Sequence, residues 1–547
     1  MADFKRTSSS NDEKGSSSDN VVSTTAAIHT TGTKRVINRR QVNLYSIGGV
    51  IGTAVFVSIG SSLTKGGPLM LLLAYIIWCA VIWCVNECQG EMVCALPIES
   101  SFTRFAERYV DDAFGVATGW NYVLCMTSLL CFEITAFHSV LGFWTDNLHP
   151  AIVPAVMLAS YCILHLWTSA WFAESEFWVV LGKITLMIGL FFFTFVTMVG
   201  GNPLHQAFGF SAWRNPGPVN EYLATGASGQ FQGFWACLLG AAFAVAGPDM
   251  LSMIAGEAIN PRRIMPTAFK TVFYRLIIFF VLSALAVGIL VPYNDAILLA
   301  AIKSGLPGAG RSPYVAAMTR LHVPVLPHIV NAGILTSIYS AGSAFAFNGS
   351  RVLHGLALDG YAPKFITKVN RNGVPWVAFL ITAGIGCLSF LQCSAGTSKV
   401  LDWFINVATA TQLVTWIAMC ITYLRWRKAC EVQGVSRDSL PYKSWAQPYA
   451  AWIGLVCSVV VTLGNGYYVF TNGGWVVADF IFAYGSPIFF AFCFIVRKLY
   501  NRVGFVKAGE ADLWSGLEEV EEHEASLVQD VEGAPVTKWQ KAKSWII

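Results

Sequence analysis

Two stretches of this chain are apolar enough and long enough to cross a bilayer, yet each is broken in the middle. The first reads Ser46-Ile47-Gly48-Gly49-Val50-Ile51-Gly52-Thr53-Ala54-Val55-Phe56 and the second Ala241-Ala242-Phe243-Ala244-Val245-Ala246-Gly247-Pro248-Asp249-Met250. Glycine and proline there loosen the backbone ladder and free N–H and C=O groups. Hydrocarbon tolerates such groups only where they line a cavity or are buried in protein. Matching interruptions in two halves of a chain are the best sequence pointer to a membrane substrate site.

The composition agrees. The 547 residues are 55% hydrophobic and only 12% charged, where soluble chains carry about 25% charge. Runs at 67–85, 277–292 and 478–496 approach or reach the roughly 20 residues that a spanning helix needs. The expected fold is an all-α polytopic membrane protein. The polar, Ser/Thr-rich residues 1–40 have no apolar core, so no cleavable signal is expected and the first span acts as its own insertion signal. Cysteines such as Cys79, Cys84, Cys125, Cys131, Cys162, Cys387 and Cys420 sit in apolar runs without metal-ligand spacing, which reads as packing.

Twelve spans are expected, at 43–63, 68–94, 115–147, 150–172, 177–200, 231–256, 270–292, 325–350, 375–395, 400–426, 448–471 and 475–499. The third is long, which suggests tilt. Residues 1–42 form a disordered tail, 43–499 the core, and 500–547 a second tail, acidic through 518–524 and ending in a stretch, 536–547, that reads as a surface helix or an unstructured end. Lysine and arginine cluster on one set of connections, with Arg39 and Arg40 before span one, Arg262, Arg263, Lys270 and Arg275 after span six, and Arg351 after span eight. The opposite set carries only Lys65, Arg214, Lys303, Arg311, Arg320 and Lys399. This bias puts both termini in the cytosol.

The first-span motif, together with Gly90-Glu91-Met92, Ala95-Leu96-Pro97 and Ala255-Gly256-Glu257-Ala258-Ile259-Asn260-Pro261-Arg262-Arg263-Ile264-Met265-Pro266, resembles the fungal amino-acid permeases. With Phe269-Lys270 and Phe273-Tyr274-Arg275, the likeness covers about 40 to 500. It implies a place in the amino acid–polyamine–organocation superfamily, whose fold is two inverted five-helix repeats plus two helices, with helices one and six broken. One departure stands out: the family's Phe-Ser-Phe/Tyr-x-Gly-Thr-Glu in span six is Phe243-Ala244-Val245-Ala246-Gly247-Pro248-Asp249 here. That variant resembles a divergent branch that includes carnitine and polyamine transport.

Several residues could carry a transport cycle. Gly48, Gly49, Ile51, Gly52 and Thr53 would present N–H groups and a half-helix N-terminus to a substrate carboxylate. The alternative is close helix packing through Gly48-x-x-x-Gly52. Phe243 would gate the pocket, while Ala244, Val245 and Gly247 would shape it with carbonyls for an ammonium; otherwise Gly247-Pro248 is a simple kink. Asp249 should face protein or water, since an ionised carboxylate in lipid costs several kcal/mol. Glu133, in a family-like Glu-x-Thr-Ala pattern, reads as a recognition or proton-relay group, or as a structural hydrogen-bonding group. Lys183 matches a family lysine that in proton-coupled relatives resembles a replacement for a sodium ion; alternatively it snorkels to the interface. Glu257 with Arg262 and Arg263 could form an inner gate, or the arginines could simply follow the positive-inside rule. The Asn348-Gly349-Ser350 sequon sits at an expected cytosolic edge, and Trp403, Phe404 and Asn406 either line the pocket or pack in the core.

No phosphate loop, ATPase motif or partnered nucleophile is present, so no enzyme activity, catalytic residue, cofactor or metal is expected. The reading is a secondary transporter that imports amino acids with protons by alternating access. Carnitine or polyamine uptake and a non-transporting nutrient sensor are the alternatives. An intact first-span motif favours a substrate with a carboxylate over a polyamine. The expected partners are an amino acid, a proton, membrane lipid and regulatory proteins at the tails, with no nucleic acid. The expected location is the plasma membrane.

Overall fold

The computed structural model describes residues 35–532, apart from 36, 49–50, 99, 146, 168, 304–311 and 472–474. Most of the expected N-terminal tail, the stretch at 536–547 and Gly49 therefore lie outside the described residues. Within them the fold is helical, and the one extended pairing is a parallel bridge between Ile37 and Ala258.

The helices follow the apolar runs. α1 (Arg39–Gly48) leads through a single π-turn at Ala54–Ser58 into α2 (Ile59–Ala95). After them come α3 (Ser101–Tyr109), α4 (Asp112–Leu141), α5 (Ile152–Trp167), α6 (Ser169–Met198) and the one-turn α7 (Ser211–Arg214). The sixth expected span is split into α8 (Gly226–Ala244) and α9 (Pro248–Ile254). α10 (Pro261–Arg275) continues through a π-turn at Leu276–Val281 into α11 (Leu282–Leu290). Two short helices, α12 (Ala296–Lys303) and α13 (Pro313–Arg320), precede α14 (Leu326–Leu358). The remainder is α15 (Trp376–Gly386), α16 (Gln392–Ala395), α17 (Thr397–Val432), α18 (Tyr449–Gly464), α19 (Val477–Asn501) and α20 (Leu517–Glu532).

Ten helical stretches among the described residues are long and apolar enough to cross a membrane. Two features separate this number from the twelve spans expected. Ala54–Ala95 runs as one helical stretch of 42 residues, but Gly67 interrupts it with φ +81°. There Leu69 N–H turns to the Pro218 carbonyl at 2.9 Å and Gly66 C=O accepts from Asn220 N–H at 3.0 Å. A Cβ at Gly67 would lie 2.9 Å from the Pro218 oxygen, so only glycine fits both the dihedral and the space. The second feature is α5, which has only 16 residues.

Several boundaries differ from expectation for local reasons. α4 starts at Asp112 because the Asp111 carboxylate caps it, accepting from Phe114 N–H at 2.6 Å. α14 continues past 350 to Leu358, which puts Arg351 on a helix and not in a loop. Asn348 is buried in that helix and donates to Tyr45 Oη at 2.9 Å, so its sequon is inaccessible.

Burial divides the helices. In Asp112–Leu141 and Gly226–Glu257, 89% of the most apolar stretch is buried, against 11% in Val477–Asn501. α4 packs between α14, α17 and α19, and α2 lies against α8. Trp78 and Trp416 meet at 5.8 Å between ring centroids and join α2 to α17. Outward-facing Phe192, Phe195, Val456, Leu463 and Phe492 stay exposed, as side chains facing lipid do.

Both ends of the described chain lie on one face. Ile37 N–H donates to the Glu257 carbonyl at 2.9 Å. Val506 N–H donates to the Val110 carbonyl at 2.9 Å, Arg425 donates to the Val506 carbonyl at 2.6 Å, and Arg108 to the Ser515 carbonyl at 2.8 Å. This is the terminal face.

Candidate functional site

The breaks predicted in the first and sixth spans are both present, and they sit beside each other. Among the described residues α1 reaches Gly48, Ile51 and Gly52 lie outside helix, and helix is present again at Thr53. α8 ends at Ala244, and α9 begins with Pro248. Gly247 adopts φ +138°. Pro248 takes the first helical position, where a missing N–H costs nothing.

Breaking a helix frees backbone groups, and here side chains from elsewhere take up several of them. Arg275 donates to the Ser46 carbonyl at 2.6 Å and to the Ala246 carbonyl at 3.0 Å. One guanidinium thus ties the two broken helices together. It is 2% exposed, and a Cβ at Gly247 would lie 2.8 Å from one of its nitrogens. Ser337 donates to the Ile51 carbonyl at 3.1 Å, and Ser312 to the Phe56 carbonyl at 2.8 Å. Gly247 N–H donates to Asp249 Oδ1 at 3.3 Å.

The buried carboxylates are partnered too. Thr53 Oγ1 donates to Glu133 Oε2, which joins the restart of the first span to α4. A Cβ at Gly52 would stand 2.9 Å from Glu133 Oε1 and 3.3 Å from Ala341 Cβ. Tyr122 Oη donates to Asp249 Oδ2 at 3.0 Å. Gly48, Ile51, Gly52, Thr53, Glu133, Ala244, Val245, Gly247 and Asp249 are all buried and cluster around the two breaks.

Above this cluster, toward the face opposite the termini, lies a cavity of about 540 Å³. Its walls include Ser58, Ser62, Lys65, Tyr222, Gly240, Trp403, Asn406, Tyr468 and Asp479. Of the described residues predicted to bind substrate, only Phe243 reaches it. Phe243 meets Phe132 edge to face at 4.8 Å. Ala244 and Val245 lie beneath that ring, in the core and not in the cavity wall. Trp403 and Asn406 do line the cavity, whereas Phe404 is packed in the core.

Lys183 is 1% exposed and lies inside the protein, not at the interface. Its Nζ is 3.7 Å from Glu176 Oε1, and Glu176 Oε2 accepts from Ser340 Oγ at 2.6 Å.

Toward the terminal face the passage is closed. Glu257 pairs with Arg351 at 3.2 Å, and Arg351 stacks over the Phe347 ring at 4.3 Å. Phe347 in turn stacks on Phe172 at 4.4 Å. Arg262, expected to pair with Glu257, instead reaches Glu521 of α20 at 3.4 Å. The reason is directional: Glu257 ends the turn after α9 and faces α14, while Arg262 opens α10 and points outward to the C-terminal segment.

Three functional candidates were not singled out from the sequence. Arg275 was counted as an edge charge, although it sits inside the run 270–292, where an intramembrane charge is itself a signal. Glu176 fell one residue outside its expected span, yet it lies seven residues, about two turns, before Lys183 and so on the same face. Arg351 was assigned to a loop that is helix.

A family profile described as amino acid permease matches residues 41–508. The general amino acid permease AGP2 of Saccharomyces cerevisiae is 42% identical over 525 residues, covering 94% of this chain and 87% of that one. The proline-specific permease of Emericella nidulans is 37% identical over 519 residues, 94% of each chain. The proline-specific permease of Saccharomyces cerevisiae is 38% identical over 498 residues, 89% of this chain and 79% of its own.

Proposed function

The chain belongs to the amino acid permease family, and on that premise we propose that it imports amino acids with protons by alternating access. The observation that carries this reading is the cavity of about 540 Å³ that opens away from the terminal face and ends on Phe243 over the two broken helices. It fits a state open to the outside, with both termini in the cytosol of a plasma-membrane protein. In this reading Ala54–Ala95 is split at Gly67 and α5 counts as a span, which agrees with twelve spans in an inverted-repeat fold.

In the cycle we propose, substrate descends to Phe243, and movement of that ring admits it to the breaks. Backbone N–H groups across 48–53 take the carboxylate at a half-helix N-terminus. Carbonyls of Ala244 and Val245 take the ammonium. Glu133 holds the restart of the first span through Thr53 and adjusts the pocket when substrate arrives. Lys183 gives and takes the proton. Opening to the cytosol then requires the Glu257–Arg351 pair and the bond from Asn348 to Tyr45 to part. The relatives named above are general and proline-specific permeases, and a mostly apolar pocket floor suits a neutral amino acid. The Pro248-Asp249 variant leaves carnitine as a competitor of the same carboxylate chemistry.

The test is uptake of a labelled amino-acid panel with carnitine and spermidine, in cells lacking their own permeases, at acid and neutral external pH. Saturable amino-acid uptake that rises at acid pH is expected. Uptake of carnitine alone moves the substrate class. No uptake from protein shown to be at the surface makes it a sensor.

A further inference from the structure

Glu176 has no assigned part in the cycle, yet it is the carboxylate nearest Lys183 on the side toward the termini. It is 5% exposed. One oxygen is held by Ser340 at 2.6 Å. The other, Oε1, has no hydrogen-bond partner among the described residues, and neither does Lys183 Nζ, 3.7 Å away. Two opposite charges held as an ion pair at 3.7 Å in the interior, with no hydrogen bond to either atom among the described residues, are costly to bury unless the arrangement serves a step. Glu176 also borders a cavity of about 20 Å³ that it shares with Ile37, Tyr45, Phe172, Ile254 and Phe347. That space is large enough for about one water. It lies behind the Phe172–Phe347 stack, on the route that the closed terminal face blocks.

We propose that Glu176 is the exit carboxylate for the coupled proton, receiving it from Lys183 and passing it to water on the terminal side. The inference rests on Lys183 being the proton carrier. In the step, an N–H bond of the Lys183 ammonium breaks and an O–H bond forms at Glu176 Oε1. An ion pair becomes a neutral amine and a neutral acid. When the terminal face opens, the acid loses its proton to water and the carboxylate is restored. Ser340 orients the acceptor by holding its other oxygen. The groups around Glu176 are Lys183 on its own helix, Ser340 on α14, Tyr45 on α1 and Tyr161 on α5, with Glu133 of α4 beyond Lys183 and Arg40 with Glu174 at the surface. Among them the unbonded Oε1 is the acceptor that faces Lys183.

The experiment uses the full chain in proteoliposomes with the membrane potential clamped and an inward pH gradient of one unit. One coupled proton then supports about tenfold accumulation of substrate. Glu176→Gln keeps the shape and a bond to Ser340 but cannot accept the proton. Accumulation is expected to fall from about tenfold to none, while exchange of internal for external substrate, which needs no proton release, persists. Glu176→Asp is expected to restore part of the accumulation. If Glu176→Gln accumulates normally while Lys183→Ala does not, Glu176 is not the exit. If Lys183→Ala itself accumulates normally, the carrier reading fails and takes this one with it. If Glu176→Gln and Ser340→Ala lose exchange and accumulation in parallel, Glu176 is structural and the proposal is wrong.

Discussion

On the terminal face, Ile37 pairs with the chain at Glu257 and Ile259, Glu257 with Arg351, and Tyr45 with Asn348. On the opposite face α2, α8, α17 and α19 surround a cavity of about 540 Å³, with Lys65 and Asp479 in its walls and the exposed Lys399 and Asp402 at its rim. One end is held by directional bonds between segments far apart in sequence, and the other surrounds a cavity. The contrast teaches that the closed end is made of interactions that can be broken singly. The breaks between the two ends cannot shift without moving Arg275.

The most damaging change should therefore be at Arg275, where the two broken helices are tied together. Arg275→Ala leaves the buried Ser46 and Ala246 carbonyls without their donor. Each buried carbonyl left unpaired in this way costs about 1–3 kcal/mol. The protein is expected to be recovered in low yield, with no uptake and a lower melting temperature in detergent. Arg275→Lys should fail nearly as badly, because a single ammonium cannot span both carbonyls as a planar guanidinium does. Stable protein with normal uptake from either variant would separate the breaks from Arg275.

Gly52 tests the break more selectively. A leucine side chain there would start 2.9 Å from Glu133 Oε1. Gly52→Leu is expected to insert in the membrane at normal level and to abolish uptake. Uptake within twofold of the parent would remove the first-span break from the substrate path. Lys183→Ala comes next in size: it should leave the protein folded, and the rise in uptake from neutral to acid external pH should flatten. The sign follows from the role, since a lost carrier leaves nothing for external protons to load. An unchanged pH profile would take Lys183 out of the proton path.

The two breaks were legible because glycine and proline announce them locally: Gly48, Gly52, Gly247 and Pro248 stand inside apolar runs where nothing else explains them. What fills the breaks was not legible. Arg275 lies 229 residues from its Ser46 contact, and no local pattern relates the two positions. A tally of positive charge near membrane edges absorbed it with Lys270. Glu176 is not marked by the apolar run, which begins after the acidic Glu174 and Glu176, whereas α6 starts at Ser169, eight residues before the span expected at 177. The pairing of Glu257 with Arg262 was proposed from nearness in sequence, but the turn between α9 and α10 sends the two side chains apart.

That last difference divides the terminal face and gives the smallest effects. Glu257→Gln removes one charge from a pair whose side chains are 7% and 10% exposed. It should loosen the closed end, seen as faster labelling of a cysteine placed at Phe347 from the terminal side, with a modest change in uptake. Arg262→Ala removes an ion pair of 3.4 Å whose glutamate side chain is 57% exposed. Exposed pairs contribute about 0–1 kcal/mol, so uptake should stay within about twofold and the labelling rate should not move. If Arg262→Ala instead opens the terminal face as Glu257→Gln does, then the contact with α20 belongs to the closing mechanism. The C-terminal segment would then be a working part of the gate and not a strap lying across it.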